Sequence, residues 1–360
     1  MSTETIRRTT NGRKTAAAGM GAVALLAAAC SGGHKAAAPP TTPAPTSTTT
    51  EAPTTTLPPP TYPLTGLPAP NAKQAGNPAV VVKIDNVSAA RPQTGLQYAD
   101  VVYDAEVEGG LSRLAAIFQS SYPSEVGPVR SGRLTDEGVA DNLNHPVLVF
   151  AGTNAIFMPI LQSQPVTVVT ENNHPELFNR VGYNAPHNLY SNVGLLAAQS
   201  KTHTGPPPLF SYLKAGQSFT GAGVTPASGV AYSLPAASIG WTWSPATHRW
   251  NRIQDGTPDV LTGGQQISAT NVVIYFVQYV SSGIASGEGV PNASIPEGIL
   301  TGTGAAWVFS GGKLVKGSWK RTSLTTVATY QDAAGKTISL APGNTWIELA
   351  PFGTVPSVSP

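Results

Sequence analysis

Asp104, Glu106 and Glu108 alternate in the run Asp100-Val-Val-Tyr-Asp-Ala-Glu-Val-Glu108. That spacing sets three carboxylates on one face of a strand, about 7 Å from one to the next. Like charges so placed must be solvated, ion-paired or bound to a cation. Gly109-Gly110 follows, then Leu111-Ser-Arg-Leu-Ala-Ala-Ile-Phe118, which reads as a hairpin about a two-residue loop. Its register sets Val107 against Ser112, Tyr103 against Ala116 and Glu106 against Arg113. Arg91, Arg130 and Arg133 lie in neighbouring polar loops, and Asp85-Asn86 ends an apolar strand. Three readings stay open for this set: a structural Arg–carboxylate network, a polar ligand-binding cleft, or carboxylates for a metal or for acid/base hydrolysis. His187-Asn188 sits in a loop ahead of a helix, a position suited to anion binding or proton transfer, or simply to fixing the loop. No residue is assigned a catalytic role.

His145 and His174 each precede a proline and read as turn residues. The chain has no HExxH, no GxSxG and no phosphate loop, and Gly302-Thr-Gly304 lacks the third glycine of a dinucleotide fingerprint. Neither a metal site nor a cofactor is expected. Trp241, Trp243, Trp250, Trp307, Trp319 and Trp346 all fall in the second half, either as β core or as a sugar-stacking surface.

The elements that must position these residues follow from periodicity and turn chemistry. Ala79–Asp85 reads as a buried strand, and further strands are expected at Pro146–Phe150 and Val166–Thr170. Helices are expected from about Asp136 to Leu143 and Asn154 to Gln162, and from an N-cap at Ser191 or Asn192 to about Gln199. Later signals are for strands: Val230–Leu234, Ile239–Trp243, Arg249–Ile253, Asn271–Tyr279, Ala305–Phe309, Leu314–Trp319, Thr326–Tyr330 and Trp346–Leu349. The fold class is α+β: a mixed α/β domain over 62–204, a connector over 205–226, and a mainly-β domain over 227–352.

The N-terminus says where the protein works. Arg7, Arg8, Arg13 and Lys14 precede an apolar stretch from Thr15 to Ala29, too short for a membrane span of roughly 20 residues. It runs into Leu25-Leu26-Ala27-Ala28-Ala29-Cys30, which resembles a bacterial lipobox with Ala27 in place of the usual Leu. Residues 1–30 are therefore expected to be a signal peptide, with Cys30 carrying the lipid that holds the chain to the outer face of the cell membrane. Cys30 is the single cysteine, so no disulfide or cysteine metal site is available. Residues 31–61 are nearly all Ala, Pro, Thr and Ser and are expected to form a disordered tether. At about 3.1 Å per residue, thirty such residues reach at most on the order of 90 Å. The signal segment holds four of the 21 basic and one of the 19 acidic residues, leaving 17 against 18. A near-neutral chain without a basic block offers no footprint for nucleic acid.

Pro63-Leu64-Thr65-Gly66, Lys83-Ile84-Asp85-Asn86, Ala90-Arg91-Pro92-Gln93, Glu108-Gly109-Gly110, Val126-Gly127-Pro128-Val129-Arg130-Ser131 and Ala185-Pro186-His187-Asn188-Leu189-Tyr190 occur in that order. Trp241-Thr-Trp243, Asn271-Val272-Val273 and Ala341-Pro-Gly-Asn-Thr-Trp346-Ile-Glu-Leu349 follow them. Together they resemble the YerB-like bacterial lipoproteins, the two-part domain of unknown function 3048, with Gly132 where Ala is expected. The resemblance implies an envelope lipoprotein and no particular reaction. The expected function is binding of a polar envelope ligand, such as peptidoglycan or another envelope protein, in the acidic/Arg/His cleft of the first domain. A cell-wall hydrolase using paired carboxylates with His187 is the alternative, and a protein–protein module is the third.

Overall fold

The computed structural model describes residues 59–182, 184–285 and 294–360. The signal segment, Cys30 and nearly all of the tether lie outside the described residues. The described residues form one compact unit.

In the first half the strands are β1 (Val80–Asp85), β2 (Val101–Glu106), β3 (Ser112–Phe118), β4 (Val147–Phe150), β5 (Thr167–Thr170), β6 (Phe178–Arg180) and β7 (Leu189–Ser191). β1 is buried at every position, as its unbroken Val-Val-Val run requires of a strand covered on both faces. It pairs antiparallel with β3 and parallel with β4.

The main sheet contains 12 strands among the described residues. From one edge it runs Thr329–Asp332, Lys313–Arg321, Gly302–Ser310, Asn271–Ala285, Thr345–Pro351, β2, β3, β1, β4 and β5. Both halves of the sequence thus share one sheet. The seam is Thr345–Pro351, which lies parallel to Asn271–Ala285 on one side and to β2 on the other. That register sets Val102 against Trp346 and Asp104 against Glu348.

A second sheet is built on Gly229–Leu234, Ala237–Ser244 and Arg249–Gln254. It packs over one face of the main sheet, so that Val82, Leu114 and Phe118 share a core with Trp241, Trp250 and Trp346. Trp241 and Trp346 meet edge-on with centroids 5.3 Å apart. The opposite face buries Val81, Tyr103 and Ile117 against Val139 and Leu161, and against Phe210 and Phe219 of the 205–226 stretch. Each such apolar side chain contributes on the order of 1.5–3 kcal/mol on burial. Trp241, Trp250, Trp319 and Trp346 are core residues, whereas Trp243 and Trp307 are half-buried.

The chain is mainly β. The strands expected in the second half form, with Asn271–Ala285 longer than its apolar run implied and Ser294–Ile299 pairing with it. The helices are shorter than expected: Thr135–Ala140, Phe157–Ser163 and Val193–Ala197. Asn192 caps the last of these through the Leu195 amide at 3.0 Å. Helices of five to seven residues gain little from their own hydrogen bonds and form here because the sheet buries their apolar side. Among the described residues, no helix is long and apolar enough to cross a membrane.

Candidate functional site

The β2–β3 hairpin corrects the register read from the sequence. Val107 N–H donates to the Leu111 carbonyl at 2.8 Å, closing a three-residue loop, Glu108–Gly110, in place of a two-residue one. Gly109 and Gly110 have φ of 75° and 71°, so both occupy the left-handed region that glycine tolerates. The pairs become Glu106 with Ser112, Ala105 with Arg113 and Asp104 with Leu114. A one-residue slip exchanges the faces, so Arg113 lies on the side opposite Glu106 and does not face it.

The three alternating carboxylates consequently part company. Asp104 turns towards the second sheet and ion-pairs with Arg252 at 2.5 Å, both side chains being buried. Arg252 also holds Asp259 and lies 5.0 Å from the centre of the Trp346 ring. Glu348, beside Asp104 in the sheet, accepts from Trp241 Nε1 at 2.8 Å and from the Tyr232 hydroxyl at 3.0 Å. Burial and the neighbouring Asp104 charge push its carboxyl up to about 8. Burial also raises Asp104, against the pull of Arg252. Glu106 is half-buried, and burial raises it too; its backbone N–H donates to the Tyr279 hydroxyl at 3.0 Å.

Glu108, carried past the strand end by the turn, enters a different cluster. Arg133 Nε donates to its Oε2 at 2.9 Å, Arg133 Nη2 bonds its Oε1, and Arg113 Nη2 stands 3.7 Å from Oε1. Burial would raise this carboxyl, but the Arg133 hydrogen bond and the charges of Arg133 and Arg113 hold it down at about 2. Arg113 in turn lies opposite Asp85, the last residue of β1.

Asp85 is where two more of the residues singled out in the sequence, Arg130 and His187, converge. The loop carrying Val126–Arg130 runs beside the end of β1, with Asp85 N–H donating to Pro128 O at 2.9 Å and Arg130 N–H to Lys83 O at 2.8 Å. On its other side Val129 N–H donates to Leu189 O at 2.6 Å, which sets β7 alongside. His187, two residues before β7, thereby reaches Asp85: Nδ1 lies 2.8 Å from Oδ2, and Arg130 Nε lies 3.1 Å from the same oxygen. The Asp85 side chain is fully buried, while His187 is 24% and Arg130 14% exposed. A carboxylate can only accept, so the neutral imidazole keeps its proton on Nδ1 and presents Nε2 as its basic nitrogen.

Beneath this pair Lys83 bonds Asp136 at 2.7 Å, both being buried. Burial lowers the Lys83 ammonium, and Asp136 opposes the shift. Neither was singled out from the sequence, although a lysine inside an otherwise apolar strand is itself the signal of a buried partner. Arg252, Asp259 and Glu348 were missed as well, and Glu348 carried the same signal in Trp346-Ile-Glu-Leu349.

Four expected site residues lie elsewhere. Arg91 pairs with Asp255 at 2.6 Å. Asn86 donates to Ser112 Oγ at 2.8 Å and accepts from Gln93 at 3.0 Å. Asn188 accepts from Arg180 at 2.8 Å. Asp104 is sealed between the sheets. Among the described residues no group of three or more His, Cys, Asp or Glu side chains is placed to hold a metal ion.

The family description "Protein of unknown function (DUF3048) N-terminal domain" matches residues 64–205, and its C-terminal counterpart matches residues 230–347. The chain is 27% identical over 318 residues to "Putative lipoprotein YerB" of Bacillus subtilis, covering 82% of this chain and 88% of that protein. The crystal structure of YerB protein from Bacillus subtilis superposes with a TM-score of 0.68 at 24% identity, covering 82% of this chain and 99% of that one, a likeness of fold. The chain belongs to the DUF3048 family and carries both of its domains.

Proposed function

We propose that this protein is a lipid-anchored envelope protein that binds a polar, anionic ligand of the cell envelope at Asp85, Arg130 and His187. The anchor rests on the Cys30 lipobox and on the lipoprotein name of the Bacillus relative. The binding reading rests on one observation: a partly exposed imidazole is locked at Nδ1 by a buried carboxylate that Arg130 also engages. Such a lock orients Nε2 outward. A protonated ring and the adjacent guanidinium then offer donors to a carboxylate or phosphate.

The same pair favours hydrolysis as the second reading, because a carboxylate-oriented imidazole is how many enzymes position a general base. In that case Nε2 takes the proton, since Glu108 stays ionised beside Arg133 and Asp104 is sealed in the core.

Incubating the protein with purified peptidoglycan tests both readings. Wild type is expected to sediment with the sacculi, and His187→Ala and Arg130→Gln to lose at least tenfold in affinity. Fragments released by wild type and not by His187→Ala would establish the hydrolase. Equal retention of both variants and wild type would remove this site from consideration.

A further inference from the structure

The opposite end of β2 carries two adjoining clefts that share Gln97 and Arg249, of 420 and 370 Å³. Both volumes lie within the range of about 300–1,000 Å³ typical of ligand pockets. At about 3.3 Å per strand residue, the six residues of β2 separate these clefts from the Glu108 turn by roughly 20 Å. Chain segments from both halves build the walls, so the clefts exist only in the assembled sheet.

Arg249 opens its strand at the junction of the two clefts and is half-buried. Its guanidinium is held in place by neutral acceptors. Nε donates to Ser268 Oγ at 2.7 Å, and Nη2 donates to Ser268 O and Asn344 Oδ1, each at 2.8 Å. Nη1 has only a long contact of 3.5 Å to Thr270 Oγ1. Among the described residues no carboxylate pairs with it. Asp100, the carboxylate of the cleft wall, is committed elsewhere: it accepts the Gln119 amide at 2.6 Å, the Ser120 amide at 2.8 Å and the Ser120 hydroxyl. A half-buried cation left with neutral partners favours an anionic visitor, and its fixed geometry means that little order is lost when one binds.

The rest of the wall narrows the class of visitor. Gln97 and Gln265 supply side-chain amides able both to donate and to accept, the pairing that hydroxyl-rich ligands require, whereas Gln266 Nε2 already donates to Arg252 O at 2.8 Å. Tyr98 stands at the cleft and is 49% exposed, leaving ring surface for the apolar side of a sugar. From these features we infer that the paired clefts bind an acidic saccharide, with its carboxylate on Arg249, its hydroxyls on the glutamine amides and a ring against Tyr98.

This site is independent of His187, and the experiment keeps the two apart. The isotope-labelled protein is titrated with a glucuronate-containing hexasaccharide of hyaluronan, with neutral chitohexaose and with inorganic phosphate, following the side-chain amide signals of Gln97 and Gln265. The acidic hexasaccharide is expected to shift these signals and to bind at least tenfold more tightly than chitohexaose. Arg249→Gln removes that preference, and Tyr98→Ala, an exposed position that does not bear on folding, weakens binding three- to tenfold. His187→Ala leaves the titration unchanged. The inference is overturned if Arg249→Gln and Tyr98→Ala bind the hexasaccharide as wild type does. It is equally overturned if phosphate binds as tightly as the hexasaccharide, which would make the cleft a simple anion hole.

Discussion

Two ion-paired clusters, one around Asp104 on β2 and one around Asp85 at the end of β1, differ in their access to water. In the Asp104–Arg252–Asp259–Glu348 cluster each charged side chain is at most 3% exposed, and the neutral donors Trp241 and Tyr232 complete the set. In the Asp85–Arg130–His187 cluster only the carboxylate is sealed. Charges that water cannot reach cannot meet a ligand either, so the first cluster fastens the two halves of the chain across the Asp104–Glu348 seam. The second keeps a nitrogen and a guanidinium at the surface, where recognition can occur. Burial, more than residue type, separates the charges sealed in the core from those that solvent reaches.

The largest effect is expected at Arg252. Arg252→Met leaves Asp104 and Asp259 buried without their cation and is expected to cost about 3–5 kcal/mol in urea unfolding. A loss below about 1 kcal/mol would mean that the network does not fasten the halves.

Glu348 gives the next largest effect, with a definite sign in pH. Its carboxyl is raised from 4.5 to about 8, so between those values the folded protein retains a proton that the unfolded chain has released. Stability therefore falls as pH rises through that window. Glu348→Gln should flatten this slope and leave the variant more stable than wild type at pH 8, by on the order of 2 kcal/mol, as read from urea midpoints. A wild-type profile that rises over the same range would contradict the assignment. Glu108 has the opposite sign: held at about 2, it lends stability above pH 4.5 that is lost as pH falls towards 2.

The smallest effect sharpens the contrast. His187→Ala is expected to change unfolding free energy by less than about 1 kcal/mol, because the ring is partly solvated and ends no packed layer. A loss as large as that of Arg252→Met would make the rim pair structural as well.

Much of the second half was legible because its strands alternate and are punctuated by Gly, Asn and Asp turns, and a strand forms at each of the eight expected places, though Asn271–Ala285 runs six residues past its expected end. The hairpin shows the limit. Gly109-Gly110 is compatible with loops of two or three residues, and the choice moved Arg113 to the other face of the sheet. Asp85, Arg130 and His187 were all among the residues singled out, yet their meeting was not readable. Asp85 and His187 are 102 residues apart, and only the pairing of Val129 with Leu189 brings them within 2.8 Å.

Most strands, the family motifs and the lipobox reading at Cys30 were available from the sequence, because each depends on residues within a few positions of one another. Tertiary structure alone decided which charges are sealed and which reach water. Burial is set by what packs on the other side of a sheet, and here that partner comes from the far end of the chain.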